Sequence, residues 1–142
     1  MLDLAAIREA LAAQLKAGLD KSLNVYAYVP DSPRFPCIAV THGDLYVDYF
    51  VTFSPSGLAN VNLKIIAAHD SRSEDSQRTI DRLLSVGSGS DSSIVDVIYA
   101  DPTLGGAIAN CRVLTATFTA VGQENAGVFE ATIPIDVWIT RD

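Results

Sequence analysis

The sequence predicts an α+β domain: a twisted, mostly antiparallel sheet that ends in a long C-terminal β-hairpin, with two to three helices packed on it. Three observations predict it. Leu4, Ile7, Leu11 and Leu15 recur at helical spacing near the start of the chain. In VFEATIPIDVWIT, Phe129, Ala131, Ile133, Ile135, Val137 and Ile139 occupy alternate positions, the period of a strand with one buried face. Between these ends, β-branched and aromatic runs bounded by Pro, Gly and Ser/Asn clusters read as strands.

With 142 residues, 49% of them hydrophobic and 19% charged, the chain can bury a core without disulfides or metal. One domain spanning residues 1–142 is expected, with no internal repeat and no linker. The first helix is capped by Asp3, and Gly18 stands where a left-handed C-terminal cap is expected. NVYAYVP reads as a short strand ended by Pro30, PDSPRFP as a proline-punctuated loop, and CIAVTHG as a second strand. A further strand from Leu45 to Phe53, the turn SPSGLAN and the strand VNLKIIAAHD form a hairpin.

SRSE then forms a capping box between Ser71 and Glu74, opening a second helix whose buried stripe is Ile80, Leu83 and Leu84. VGSGSDSS is a loop, from which Asp91 or Ser92 could cap a third, short helix through Ile94, Val95 and Ile98; SIVDVIY could also be a strand, and helix is preferred. The run AIANCRVLTATF, with Leu114, Ala116 and Phe118 alternating with threonines, pairs across GQENAG with the terminal strand. Opposite the apolar face of that strand lie Glu130, Thr132, Pro134, Asp136 and Thr140, with Trp138 as the exception.

The segment DPTLGGAIANC holds the most motif-like pair of glycines. A phosphate loop needs its glycines between a strand and a helix N-terminus, where backbone amides meet the anion. Here the glycines precede a strand and no Lys-Ser/Thr pair follows, so a turn opened by Asp101 and Pro102 is expected. GSGS leaves a helix and is a connection.

Cys37 and Cys111 lie in apolar stretches and read as buried, reduced thiols. His42 and His69, in THGD and AHDS, have no zinc-ligand spacing with the cysteines, and no nucleophile elbow is present; strand-end roles are expected, with neither catalytic residue nor cofactor. The net charge of −7, from 17 acidic and 10 basic residues, disfavours a nucleic-acid grip. No basic leader and no membrane span is read, so a cytosolic, soluble chain is expected.

The pieces NVYAYVPDSPRFPCIAV, VNLKIIAAHDSRSEDSQRTIDRLLSVGSGS and DPTLGGAIANCRV, closed by the alternating terminal strand, resemble in their succession the tail terminator, or tail completion, proteins of long-tailed bacteriophages. The resemblance implies a structural virion protein without enzymatic activity. It implies a homo-hexameric ring that caps the finished tail tube, at the head-proximal end of the tail, and docks the head. Its partners would be the tail tube protein and a head-tail connector or stopper protein. Genomic DNA would pass through the acidic lumen unbound, and assembly would take place in the host cytoplasm.

Within such a ring, Arg78 and Arg82 of the second helix are expected to meet acids of a neighbouring subunit, against a merely solvated face. The loops bearing Asp31, Arg34 and Ser56 are expected to contact tube or head partners. The competing expectations are a neck or stopper subunit, and a small ligand-binding or hydrolytic domain using His42, His69 and Cys37.

Overall fold

The alternation at the chain end becomes the longest strand, β6 (Val128–Thr140), whose residues alternate between buried and part-exposed until Thr140. In the computed structural model, which describes residues 2–49, 51, 57–69, 74–87, 93–121 and 128–140, β6 organises the sheet. On one side it pairs antiparallel with β3 (Leu58–His69), in unbroken register from Leu58↔Thr140 to His69↔Phe129. This register sets Val61 beside Val137, Leu63 beside Ile135 and Ile65 beside Ile133, all fully or almost fully buried. β2 (Cys37–Asp48) continues the sheet antiparallel to β3, and β1 (Asn24–Tyr26) adds to β2 in parallel. On the other side of β6, β4 (Asn110–Val113) and β5 (Thr117–Val121) lie end to end, giving the order β1-β2-β3-β6-β4 with β5 beside β6. The α+β class and the mostly antiparallel sheet follow the expectation.

Three helices, α1 (Leu4–Gly18), α2 (Glu74–Leu84) and α3 (Ile94–Ala100), bury the apolar face of the sheet. Ile7, Leu11 and Leu15 of α1, Ile80 and Leu83 of α2, and Ile94 and Ile98 of α3 meet the inward residues of β2, β3 and β6 in one cluster. Leu84 is only partly buried. Asp3 caps α1 by accepting the Ala6 N–H at 3.0 Å, as expected. Gly18 does not form a left-handed cap: it is the last helical residue, and a Cβ there would stand 2.7 Å from Val97 Cγ1, so its absence lets α1 and α3 approach.

The structure departs from the expected strands in three places. CIAVTHG and the segment after it form one strand, because β2 absorbs a bulge between His42 and Val47 instead of ending. The Asn62 side-chain amide donates to the Leu45 carbonyl at 2.5 Å across this bulge, and Gly43 is in tight contact with Asn62. β3 starts at Leu58, inside the stretch read as a turn.

The run 107–118 is not one strand either. It breaks between Val113 and Thr117, opposite Pro134. The Leu114 N–H still donates to the Pro134 carbonyl at 3.0 Å, but proline returns no N–H, and the pairing resumes one residue out of step.

SIVDVIY is helical, as preferred. Ser93, rather than Asp91 or Ser92, caps it, accepting from the Asp96 N–H and donating to the Ser85 carbonyl. The N–H of Gly87 is held by the Asp96 carboxylate. Asp91, Ser92, Ser71 of the capping box, the hairpin loop GQENAG and residues 88–90 of GSGS lie outside the described residues.

Candidate functional site

The turn after α3 was the motif that invited a phosphate reading, and its geometry is that of a self-contained turn. The Asp101 carboxylate accepts from Thr103 Oγ1 at 2.7 Å, the Gly105 N–H at 2.8 Å and the Thr103 N–H at 3.2 Å, which holds its carboxyl below the usual range. Leu104, Gly105 and Gly106 all take positive φ, at 51°, 72° and 91°. The two glycines adopt this freely. Leu104 does so at a cost of about 1–2 kcal/mol, which burial of its side chain offsets by about 1.5–3 kcal/mol.

The His69 end of the sheet opens into a cleft of about 250 Å³. Asp20 and Ser22 from the α1–β1 turn, Pro36 before β2, His69 closing β3, and Thr79 and Arg82 from α2 line it. The Ser22 N–H donates to Asp20 at 2.9 Å, and this, more than the nearby Arg82, lowers the Asp20 carboxyl from its ordinary value. His69 Nδ1 stands 3.1 Å from Ser76 Oγ, and Ser76 is fully buried under α2. A hydroxyl so enclosed fastens α2 to β3; it is not placed to attack a substrate. The cleft therefore sets a cation, a carboxylate and hydroxyls beside the apolar side chains of Leu23, Pro36 and Leu83.

The other candidate residues are dispersed. His42 lies opposite Leu63, so along β3 it is about 20 Å from His69. Cys37 lies opposite Ala68 and points to the other face of the sheet from His69. The three groups required by the hydrolytic alternative do not meet. His42 stacks near Tyr46, with ring centroids 5.4 Å apart. Burial raises the Cys37 thiol, with Glu130 adding to it, and burial with Asp101 pushes Cys111 up to about 11; both are protonated at neutral pH and poor nucleophiles. Among the described residues no three His, Cys, Asp or Glu side chains cluster as metal ligands. No described helix is long and apolar enough to cross a membrane.

Arg78 pairs with Glu74 one turn earlier on α2, an exposed contact worth little to stability. Asp31 and Arg34 are exposed on a loop that β1 holds in place: Tyr26 Oη accepts the Arg34 N–H at 3.2 Å, and the Asn24 amide donates to the Arg34 carbonyl at 3.0 Å. The Phe35–Pro36 peptide that closes this loop is cis. Ser56 lies outside the described residues.

Two surfaces were not anticipated. On the uncovered face of the sheet, Arg112 stands 3.7 Å from Asp136 and 5.9 Å from the Trp138 ring centroid, while Lys64 stands 3.7 Å from Asp44. Beside the β4–β5 break, an open groove of about 260 Å³ lies among Leu84, Val86, Val95, Val113, Leu114 and Ile133. Only the apolar character of VLTA gave a sign of it, and that was absorbed into a continuous strand. No protein-family model matches this chain, and no curated protein matches it either.

Proposed function

We propose that this chain is a structural virion protein of the tail terminator kind, forming a hexameric ring that caps the tail tube, ends its polymerisation and offers the head its docking surface. The observation that carries this reading is the succession of elements. An N-terminal helix, a short strand, a proline loop, a hairpin, a helix, a short helix, a Leu-Gly-Gly turn and a terminal hairpin follow one another as in the resemblance, except that the separate strand expected before the first hairpin is part of β2. The exposed Asp31–Arg34 loop and the cleft with Arg82 are surfaces for protein partners, and the net charge of −7 suits a lumen through which DNA slides without sticking.

Electron microscopy of particles assembled without this protein tests the reading. Overlong or headless tails are the expected result. Heads that leak DNA beside tails of normal length would instead assign the chain to the neck, as a connector or stopper subunit, and normal particles would reject both roles.

A further inference from the structure

We propose that the outer edge of β5 is a self-association surface: two copies of this chain lay their β5 strands side by side, antiparallel about a two-fold axis, and join their sheets into one. The contact does not rest on the terminator reading. It matches one patch with itself and stops at two copies, whereas a ring needs contacts between unlike patches.

β5 bonds to β6 on one side, and among the described residues no hydrogen bond reaches its other side. Every second residue of an antiparallel edge strand turns its N–H and C=O away from its neighbour, so β5 holds out a row of unmade backbone bonds. The occupant that matches such a row of alternating donors and acceptors is another strand. Residues 114–119 are exposed throughout. From Leu114 to Val121 the sequence LTATFTAV has no charged residue, no proline and no glycine, so the usual guards against strand addition are missing.

The other described edges of the sheet do carry guards. β1 is three residues long. Beyond it Arg8 donates to the Val40 carbonyl at 2.6 Å, and β2 then bulges between His42 and Val47 and bears Asp44 and Asp48. At β4 the Val113 N–H donates to Tyr99 Oη at 2.9 Å. Among the described edges, β5 is the one left both continuous and bare.

Three features select a second copy of this chain, meeting β5 with β5. A strand added by another copy has to come from one of its edges, and β5 is the edge that can supply an unbroken row of backbone groups. On a chain of net charge −7, this uncharged stretch also lets two copies approach without like charges directly opposite each other. The faces agree as well, because a two-fold that pairs antiparallel strands stands perpendicular to the sheet and continues each face of one copy into the same face of the other. Thr117 and Thr119 lie opposite Thr132 and Glu130 on the uncovered face, so threonine positions meet threonine positions across the joint. Phe118 lies opposite Ala131 on the face that the helices cover. It is 46% exposed although its ring rests against Phe129, with centroids 5.2 Å apart, and the Phe118 of the second copy supplies an apolar neighbour on its outer side.

Sedimentation velocity of the full chain over a concentration series tests the contact, together with amide hydrogen exchange at low and high concentration. The variant combines Thr117→Lys with Thr119→Lys, which sets lysines near lysines at the joint. Both positions are exposed, and far-UV circular dichroism checks that the variant folds. The wild type is expected to pass from monomer to dimer as concentration rises, with exchange slowing over residues 117–121 and unchanged over residues 24–26. The lysine variant is expected to stay monomeric over the range in which the wild type dimerises. A wild type that stays monomeric throughout, a dimer in which residues 117–121 exchange no more slowly, or a folded lysine variant that dimerises as the wild type does would each overturn the contact. The exchange measurement on the wild type decides the matter without any variant.

Discussion

Arg8 sits in the first helix four residues after Leu4 and three before Leu11, so its spacing places it on the apolar stripe, but its charge was no sign of burial. In the structure it is buried: Nε donates to the Ala27 carbonyl at 3.0 Å, Nη2 donates to the Val40 carbonyl at 2.6 Å, and the guanidinium lies 4.1 Å from the centroid of Tyr28. β1 ends at Tyr26, so β2 needs a donor beyond that point, and Arg8 supplies it. Arg8→Leu leaves two carbonyls without this donor and is expected to lower stability by about 2–3 kcal/mol in urea denaturation. Arg8→Lys should recover less than half of the loss, because an ammonium cannot reproduce the planar fork.

Cys111 carries a pH dependence. Its folded thiol is pushed up to about 11 from an ordinary 9.0, chiefly by burial. The unfolded thiol ionises first, so this contribution is complete below about pH 9 and is lost as pH rises towards 11. Cys111→Ala should reduce the alkaline fall in stability between those limits by on the order of 2 kcal/mol, read as the difference in slope between the two proteins. Burial of both cysteines was legible from their apolar neighbours. The carbonyls that hold Arg8 were not, because they come from distant parts of the chain.

Among the elements, α3 is the least self-sufficient. Its seven residues are too few for an isolated helix, and SIVDVIY suits a strand nearly as well. Tertiary contacts settle it: Ser93 holds the start, and the Gln14 amide of α1 donates to the carbonyls of Val97, Ile98 and Asp101 at 2.9, 3.1 and 3.0 Å. Gln14→Met keeps the length of the side chain and removes these donors. It is expected to cost about 1–3 kcal/mol, with amide hydrogen exchange rising most over residues 94–101.

β6 was legible in full, since alternation along the chain is itself the signal of a strand with one covered face. The β4–β5 break was not. Its cause, Pro134, lies on the partner strand, and the consequence appears only once Leu114 is set opposite it. The bulge of β2 has the same origin, in the crossing of Gly43 with Asn62.

At the scale of the whole molecule, the sheet order places β3 and β6 side by side at the centre of the core and leaves β4 and β5 on an edge. The expected tail-length phenotype belongs to this scale too, because it would depend on the proposed ring as a unit and on no single side chain. The candidate site was legible only in fragments: Arg82 and His69 were singled out for separate reasons, and the structure brings them to one cleft with Asp20 and Thr79.

By itself the sequence determined the class of the fold, the helices α1 and α2, the terminal strand and its buried face, and the Asp101 turn. These depend on periodicity and on hydrogen bonds between near neighbours. Only the tertiary structure decided the parallel pairing of β1, the broken edge strand, the burial of Arg8 and the placing of cleft and groove. Each of those requires groups from separate segments to meet, and a linear order of residues does not specify which will.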